Sequence, residues 1–324
     1  MLKRRQALAA PIVGLGLGPG LIGRSAVAAS RTIGWVGPDT RETSAPFFEA
    51  FQAGLRDRFK GEEVRVLERY APGGADKVSA AVAELEGQGV ALIVSQGAAT
   101  PAVVRAAQKV PVVFAYSGDP VVAGFAQSLA RPGGNATGIT FMQAELMAKR
   151  IDYLRMALPA SRRMAVLSNA NHPGEEREIE ACQRAVGPTG VELTIWRVKQ
   201  PDEIAPTADR ALQEAQALLV LPSATMIRAA PGMAAQCLAR KVPLVSGWAM
   251  IARAGGLMTY GPSLEAGFRR LANYIARLLD GASPANLPIE QPTSFELVLN
   301  RRTATAIDVR FPEILVAQAE QIIE

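Results

Sequence analysis

The chain has 324 residues and a formal net charge of +5, from 35 Lys and Arg residues against 30 Asp and Glu residues. Lys3, Arg4, Arg5 and Arg24 lie within the first 28 residues, which contain no acidic residue, and without them the charge falls to +1. A protein that binds nucleic acid needs a lasting basic surface, so this balance argues against that class. The one histidine, His172, excludes a metal site built from several histidines.

The first 28 residues have the pattern of a secretory leader. Lys3, Arg4 and Arg5 precede an apolar stretch at 7–22, and Ala26-Val27-Ala28 has the small-x-small form of a cleavage site. Glycines and a proline interrupt the apolar stretch, whereas a membrane anchor needs about 20 continuous apolar residues. We therefore predict a signal peptide at 1–28 and a soluble mature protein in the periplasm. The Arg4-Arg5 pair leaves both general secretion and twin-arginine export open.

The first half of the chain alternates between strand and helix patterns. Short apolar runs separated by amphipathic segments are typical of parallel strands that helices cover on both faces. We predict strands at 33–37, 64–70, 92–95, 112–116 and 137–140. Helices are predicted at 76–88 and 101–108, and earlier over a segment whose apolar face carries Phe47, Phe48, Phe51 and Leu55.

The second half repeats this plan. Residues 90–100 recur in outline at 216–226, and after each copy come a helix and a strand that opens with Lys-Val-Pro, at 109–111 and 241–243. Further strands are predicted at 164–168, 192–198, 218–221, 244–246 and 295–299. Helices are predicted at 145–157, 175–186, 203–216, 225–239 and 265–279.

These two halves predict an α/β protein made of two doubly wound parallel-sheet lobes with a cleft between them. We assign 29–141 and 256–285 to the first lobe, and 142–255 and 286–324 to the second. The chain then passes between the lobes more than once. A hinge of several crossings limits the motion of the lobes to closure around a ligand.

Several segments of the chain resemble a known family. The most specific are SLARPGGNATG at 128–138 and LPIEQPTSFELVLN at 287–300. With 33–38, 93–97, 111–114, 118–120, 165–167 and 254–262, they are similar to the exported substrate-binding proteins of ABC uptake transporters, in the branch that includes aromatic amino acid-binding members. The resemblance implies the type I periplasmic binding fold, a membrane permease as partner, no cofactor and no catalysis. It does not fix the ligand.

The loops that follow the predicted strands supply the candidate binding residues, because ligands of doubly wound sheets lie beyond the carboxyl ends of the strands. The candidates in the first lobe are Asp39, Thr40, Gln96, Gly97, Ala98, Ala99, Thr100, Tyr116, Ser117 and Asp119. Those in the second are Asn169, Asn171, Ser223, Ala224, Thr225 and Trp248, with Tyr260 at the proposed crossing as a hinge or lid residue.

Two interpretations are open for most of these candidates. The predicted helix starts at 98–100 and 223–225 either hold a ligand carboxylate or are ordinary helix caps. Asp119 either pairs with a ligand ammonium group or forms a turn. Trp248 and Tyr116 either sandwich a flat ligand or belong to the core.

Three further residues have chemistry of their own. His172 follows the predicted strand at 164–168 and is expected in a solvated loop. Cys182 and Cys237 both fall on predicted helices, and an exported protein can oxidise them. The sequence leaves open whether they form a disulfide or are separate small buried side chains.

We therefore predict a monomeric solute receptor that captures a small organic molecule, best matched by an aromatic or branched apolar amino acid, and presents its closed form to an ABC permease. Arg41 is the nearest cation to the cleft loops, so multiply anionic ligands are disfavoured. The competing hypotheses are a ligand-sensing subunit of a membrane receptor and a hydrolase or isomerase on the same scaffold. The sequence contains no Gly-x-Ser-x-Gly or phosphate-loop pattern, which weighs against the enzyme.

Overall fold

The computed structural model describes residues 31–324, so the predicted signal peptide lies outside the described residues. The strands are β1 (Thr32–Gly37), β2 (Arg65–Tyr70), β3 (Ile93–Gln96), β4 (Val112–Tyr116), β5 (Ala136–Thr140), β6 (Arg163–Asn169), β7 (Glu192–Val198), β8 (Ala217–Val220), β9 (Leu244–Ser246), β10 (Met258–Pro262), β11 (Phe295–Asn300) and β12 (Gln321–Ile323). The helices are α1 (Arg41–Arg58), α2 (Ala75–Gly87), α3 (Thr100–Ala106), α4 (Met147–Ala157), α5 (Glu175–Val186), α6 (Ile204–Ala211), α7 (Ala224–Ala239), α8 (Ala249–Arg253), α9 (Leu264–Leu279), α10 (Arg301–Ala306) and α11 (Glu313–Gln318).

The strands form two sheets, as the sequence predicts. The first sheet has five strands in the order β2-β1-β3-β4-β5, and every pairing in it is parallel. The second has seven strands in the order β12-β11-β10-β9-β8-β6-β7, in which β10 and β11 pair antiparallel and the other pairs are parallel. The predicted α/β fold of two parallel-sheet lobes is confirmed.

Burial explains why the central strands carry apolar side chains at nearly every position. In the inner strands β3 and β4 every residue is buried, because helices cover both faces of the sheet. The edge strand β5 is also buried throughout, and Glu290 bridges to it at Ile139. The edge strand β2 is only partly buried and contains arginine and glutamate residues. The second sheet follows the same rule, with β8 and β9 buried throughout and β7 partly exposed at its edge.

The passage of the chain between the sheets differs from the division that the sequence suggested. β10 pairs with β9 and β11 in the second sheet, although 256–285 had been assigned to the first lobe. The first lobe is rejoined only at α9, which packs along α1. Leu287 and Ile289 also pack in the cores of the first lobe, and Glu290 bridges to Ile139 of β5. A short apolar strand does not reveal which of two sheets it joins.

Arg150 of α4 ties two of the interlobe segments together. It is 1 % exposed, and its Nε donates at 2.7 Å to the carbonyl of Tyr260, in the middle of β10. Its Nη1 donates to the carbonyl of Gln143 at 3.2 Å, and its Nη2 donates to the Gln143 side-chain oxygen. Burial lowers the pKa of Arg150 to about 10, so the guanidinium stays charged at neutral pH. Side-chain and carbonyl oxygens therefore compensate its charge at the hinge.

Both cysteines are free and buried, and they lie in different hydrophobic clusters of the second lobe. The structure therefore supports the interpretation of Cys182 and Cys237 as separate small side chains in the core. Within residues 31–324, no helix is long and apolar enough to cross a membrane.

Candidate functional site

A cavity of about 780 Å³ lies between the lobes, where the carboxyl ends of β1, β3 and β4 face those of β6, β8 and β9. This is where the topology of doubly wound sheets places a ligand. The candidates that line it are Asp39, Gln96, Gly97, Ala98, Ala99, Ser117, Asn169, Asn171, Ser223, Ala224, Thr225 and Trp248. The candidates that do not are Thr40, Thr100, Tyr116, Asp119 and Tyr260.

One wall of the cavity is aromatic. Phe47, Phe141, Phe268 and Trp248 line the cavity and belong to one core cluster of the first lobe. The rings of Phe47 and Phe268 lie 5.2 Å apart, and those of Phe141 and Phe268 lie 6.1 Å apart. Such a wall favours a ligand with a flat or branched apolar part. Phe47 belongs to the apolar helix face that the sequence predicts, but no pattern in the sequence indicates that Phe141 and Phe268 meet it at the cleft.

Trp248 reaches across the cleft. It follows β9 of the second sheet, yet it is 5 % exposed and packs with the first-lobe cluster of Phe47 and Phe268. Its indole Nε1 is buried and has no hydrogen-bond partner within the described residues. A buried N–H without an acceptor costs free energy. Trp248 therefore joins the lobes through apolar contact and keeps an N–H unpaired at the cavity wall.

Gln96 is the most buried polar side chain in the cavity lining. It ends β3 and is 2 % exposed. Its amide makes no hydrogen bond with any other group within residues 31–324, and its Oε1 is buried without a partner. Buried amides in proteins are nearly always hydrogen-bonded. A ligand in the cavity would supply the missing donor and acceptor.

The hydroxyl residues near the helix starts are mostly engaged in local contacts. Ser223 caps α7, with its Oγ accepting from the Met226 N–H at 3.2 Å. Thr40 caps α1, with its side chain accepting from the Thr43 N–H at 3.4 Å. The Thr100 hydroxyl lies 3.1 Å from that of Ser95 and is fully buried. Ser223 lines the cavity, but Thr40 and Thr100 do not.

Tyr116 does not face Trp248, so the proposed aromatic sandwich is not formed. Side chains alternate along a strand, and Ala115 and Ser117 line the cavity, which turns Tyr116 to the opposite side. There it is 1 % exposed and packs edge-on against Phe125, with ring centroids 5.4 Å apart. Burial raises the pKa of Tyr116 to about 12. Of the two interpretations, the core is the correct one for this residue.

Asp119 is engaged with protein groups rather than left free for a ligand. Its Oδ2 accepts from Nη1 of Arg177 at 2.7 Å, and its Oδ1 accepts from the Val121 and Val122 N–H groups at 2.8 and 3.2 Å. Burial acts against ionisation, but these hydrogen bonds and Arg177 hold the pKa of Asp119 below its usual range. Asp119 lines a separate cavity of about 130 Å³. Its turn interpretation is the one that the geometry supports.

Tyr260 is also away from the cavity. Its ring packs against Tyr153 at a centroid distance of 5.0 Å, at the core of the second lobe. Only its backbone carbonyl takes part in the hinge, as the acceptor for Arg150.

The prediction that His172 lies in a solvated loop is wrong. His172 is 9 % exposed, and its Nε2 lies 2.8 Å from Oγ of Ser117 on the first lobe. Its Nδ1 accepts from the Gly174 N–H at 3.2 Å, so Nε2 carries the proton and donates to Ser117. Burial lowers the pKa of His172 to about 4, which keeps the ring neutral at neutral pH. The loop is held between the lobes rather than in solvent.

This arrangement does not activate Ser117 as a nucleophile. In a serine–histidine pair that performs catalysis, Nε2 accepts the hydroxyl proton, whereas here it donates. Glu178 lies 3.8 Å from Nδ1, but burial raises its pKa to about 8, so its carboxyl is protonated at neutral pH. A neutral acid at that distance does not form an ion pair with a neutral ring. The geometry is that of a contact between the lobes.

The charged groups of the cavity are few. Asp39 is partly buried, and Arg105 and Lys199 are exposed at its edge. The sequence analysis named Arg41 as the nearest cation, but its Nη2 pairs with Oε1 of Glu68 at 3.0 Å and it does not line the cavity. Within the part of the chain that the structure describes, no cluster of His, Cys, Asp and Glu is arranged to hold a metal ion.

Comparison with known proteins agrees with this architecture. A family model described as ABC transporter substrate binding protein matches residues 45–323. A curated relative, the tyrosine-binding protein of Clostridioides difficile strain R20291, is 19 % identical over 206 residues. That match covers 64 % of this chain and only 59 % of the relative's length.

Two solved structures have the same fold. The ABC domain from Streptococcus pneumonia in complex with L-Trp has a TM-score of 0.82 at 21 % identity, covering 90 % of this chain and 100 % of the other. The ligand-free, open structure of a substrate binding protein with adhesive properties from Clostridium difficile has a TM-score of 0.65 at 16 % identity, covering 90 % and 99 %.

Proposed function

The chain belongs to the ABC transporter substrate-binding protein family, and from that premise we propose that it captures an aromatic or branched apolar amino acid between its lobes. In this proposal the protein works as a monomer in the periplasm and presents its closed, loaded form to an ABC permease. Ligand binding energy favours closure because the ligand contacts both lobes only in the closed form.

The observation that carries the proposal is the combination of groups in the cavity. An aromatic wall of Phe47, Phe141, Phe268 and Trp248 suits an apolar side chain, while the Gln96 amide and the Trp248 N–H are buried and unpaired. A free amino acid offers both an apolar part and a set of donors and acceptors in one small molecule. The cavity of about 780 Å³ is within the usual range for small-molecule sites.

The comparisons support the same ligand class. One relative is named a tyrosine-binding protein, and one structure of the same fold is a complex with L-Trp. Neither name fixes the ligand of this chain, because both proteins are about one-fifth identical to it.

The test is thermal unfolding of the mature protein, residues 29–324, in the presence of single compounds. A ligand at 100 times its dissociation constant adds about 2.7 kcal/mol to the free energy of unfolding. We expect tyrosine, tryptophan, phenylalanine or leucine to raise the unfolding temperature, and glutamate and lysine to leave it unchanged. Calorimetric titration then gives the affinity of each active compound.

No rise with any aromatic or branched amino acid at millimolar concentration would contradict the proposed ligand class. The transport role is checked separately, by uptake of the radiolabelled ligand in cells with and without the gene for this chain. Equal uptake in both would contradict the transport role and favour the sensing alternative.

A further inference from the structure

The Asp39 carboxylate has no partner in the protein. Among the described residues that line the large cavity, Asp39 is the one that carries a carboxylate. It is partly buried, and no hydrogen bond or ion pair joins it to another group within residues 31–324. Asp119, the other candidate carboxylate near the cleft, already accepts hydrogen bonds from Arg177 and from backbone N–H groups. The negative charge available to a ligand is therefore that of Asp39.

The strand register places Asp39 and Gln96 at the same edge of the first sheet. β1 and β3 are neighbours, with Val36 opposite Ser95, so the carboxyl ends of the two strands lie side by side. Asp39 comes shortly after Val36, and Gln96 comes directly after Ser95. Both side chains line the same cavity. A charged acceptor and an unpaired amide thus line the same cavity from the first lobe.

We propose that Asp39 is the counter-ion of the ligand's ammonium group and that the Gln96 amide binds the polar atom next to it. This rests on the proposed function. An ammonium group offers hydrogen-bond donors and a positive charge to the Asp39 carboxylate, while the neutral Gln96 amide binds a neighbouring polar atom that the amino acid and its deaminated analogue share. The pair selects ligands with one cationic amine over analogues that lack it. Asp39 provides the charge selectivity, and Gln96 contributes to affinity for any ligand that hydrogen-bonds there.

A ligand analogue that lacks the amine should bind weakly, because its binding would bury the Asp39 carboxylate without a cation. When a ligand without an amine closes the lobes, the carboxylate loses water and gains no cation. A site that hydrogen-bonds one polar group of a ligand discriminates strongly against the analogue that lacks it. Asp39 is therefore a specificity-determining residue as well as a binding residue.

The experiment compares two pairs of ligands on four proteins by calorimetric titration. The first pair is L-tyrosine and 3-(4-hydroxyphenyl)propionate, which differ only in the amino group, and the second is L-tryptophan and indole-3-propionate. The proteins are the wild type, Asp39→Asn, Asp119→Asn and Gln96→Leu. Asp119→Asn is the matched control, because it also removes one carboxylate near the cleft. Thermal unfolding without ligand checks that each variant is folded.

We expect the wild type to bind the amino acid more tightly than its deaminated analogue by about 10- to 100-fold, in line with a hydrogen bond to a charged group. Asp39→Asn should lose most of this preference while binding the deaminated analogue at least as well as the wild type does. Asp119→Asn should keep the preference. Gln96→Leu should weaken binding of both compounds but keep the preference between them.

Two results would overturn the inference. If Asp39→Asn keeps the wild-type preference, another group holds the ammonium. If Asp119→Asn loses it while Asp39→Asn does not, the role belongs to Asp119. If the wild type binds neither these compounds nor phenylalanine or leucine, the proposed function fails and the inference with it. If it binds only phenylalanine or leucine, the same comparison is made with that amino acid and its deaminated analogue, so the two failures are distinguishable.

Discussion

His172 shows how a single residue can join two lobes. It stands on the second lobe, donates to Ser117 on the first, and is buried with a neutral ring. Glu178, which packs beside it, is also buried and has both carboxyl oxygens unpaired within the described residues. Their pKa values move in opposite directions for the same reason, since burial disfavours the charged form of each group.

The buried ring makes stability depend on pH. Burial lowers the pKa of His172 from 6.5 to about 4, so on acidification the unfolded chain takes up the proton first. The contribution of His172 to the free energy of unfolding should fall as the pH drops from about 6.5 to about 4, by up to about 3 kcal/mol. Urea unfolding at a series of pH values measures this for the wild type and for His172→Gln.

The variant isolates the contribution of the histidine. Glu178 acts in the opposite sense, because its raised pKa keeps the folded state protonated and its contribution is lost as the pH rises from 4.5 to about 8. Both proteins keep Glu178, so the difference between their curves belongs to His172. Parallel curves between pH 6.5 and 4 would contradict the prediction.

For single residues, the sequence predicted which candidates lie at the cavity better than it predicted what each side chain does there. Most candidates line the cavity because the carboxyl ends of the strands were correctly located. The two interpretations of Tyr116 stayed open because the alternation of side chains along β4 was not applied to it. Those of Asp119 stayed open, and the expectation for His172 was wrong, because their partners, Arg177 and Ser117, are more than 50 residues away in the sequence.

Helices α1 and α9 pack closely against each other. Gly54 of α1 lies against the α9 backbone, where a Cβ would overlap the carbonyl of Arg269. The Arg269 side chain also pairs with Asp57 of α1. The two helices carry much of the first-lobe core, including Phe51 and Leu271. A glycine at position 54 permits this close approach.

Gly54→Ala should destabilise the protein although alanine is the better helix former. The added methyl group would push α9 away, and overpacking of this kind costs about 1 to 3 kcal/mol. Denaturant unfolding measures the change in the free energy of unfolding.

Gly232→Ala is the matched control. Gly232 lies within α7 and a Cβ there would meet no atom within 4 Å, so the variant should gain about 0.5 to 1 kcal/mol. If the two substitutions change the free energy of unfolding equally, packing between α1 and α9 is not the cause of the effect of Gly54→Ala.

At the scale of elements, apolar runs and turn residues predicted most strands and the long helices to within a few residues. The sequence patterns did not predict the short elements α8, β10, α10, α11 and β12. α8 has five residues and β12 three, too few to show a periodicity. The sheet that β10 joins was also missed, because pairing partners depend on contacts distant in sequence.

In the whole molecule, polar contacts hold the lobes together at one side of the cleft. Ser117 meets His172, and Asp119 meets Arg177, which also donates to Glu145 at 3.0 Å. These contacts exist only while the lobes are close. They therefore add to the stability of the closed form and assist binding of any ligand.

Arg177→Ala should weaken ligand binding without changing selectivity. The ion pair with Asp119 is partly exposed, and such pairs contribute about 0.2 to 1 kcal/mol. We expect affinity to fall by about 1.5- to 5-fold, equally for tyrosine and for its deaminated analogue, in calorimetric titrations. Arg184→Ala is the control, because Arg184 lies on the same helix and, among residues 31–324, forms an ion pair with Glu180 one turn away and not with the first lobe. Unequal losses for the two compounds would place Arg177 in ligand recognition instead.

The position of Trp248 should make intrinsic tryptophan fluorescence sensitive to lobe closure. The chain has three tryptophans. Trp35 stacks on Phe51 in the first-lobe core, and Trp196 lies on β7 under Arg210. Only Trp248 is carried by one lobe and buried against the other. Separation of the lobes would expose that indole to water, so intrinsic fluorescence at longer wavelength would mark the open form and a shift to shorter wavelength would mark closure, without any attached dye.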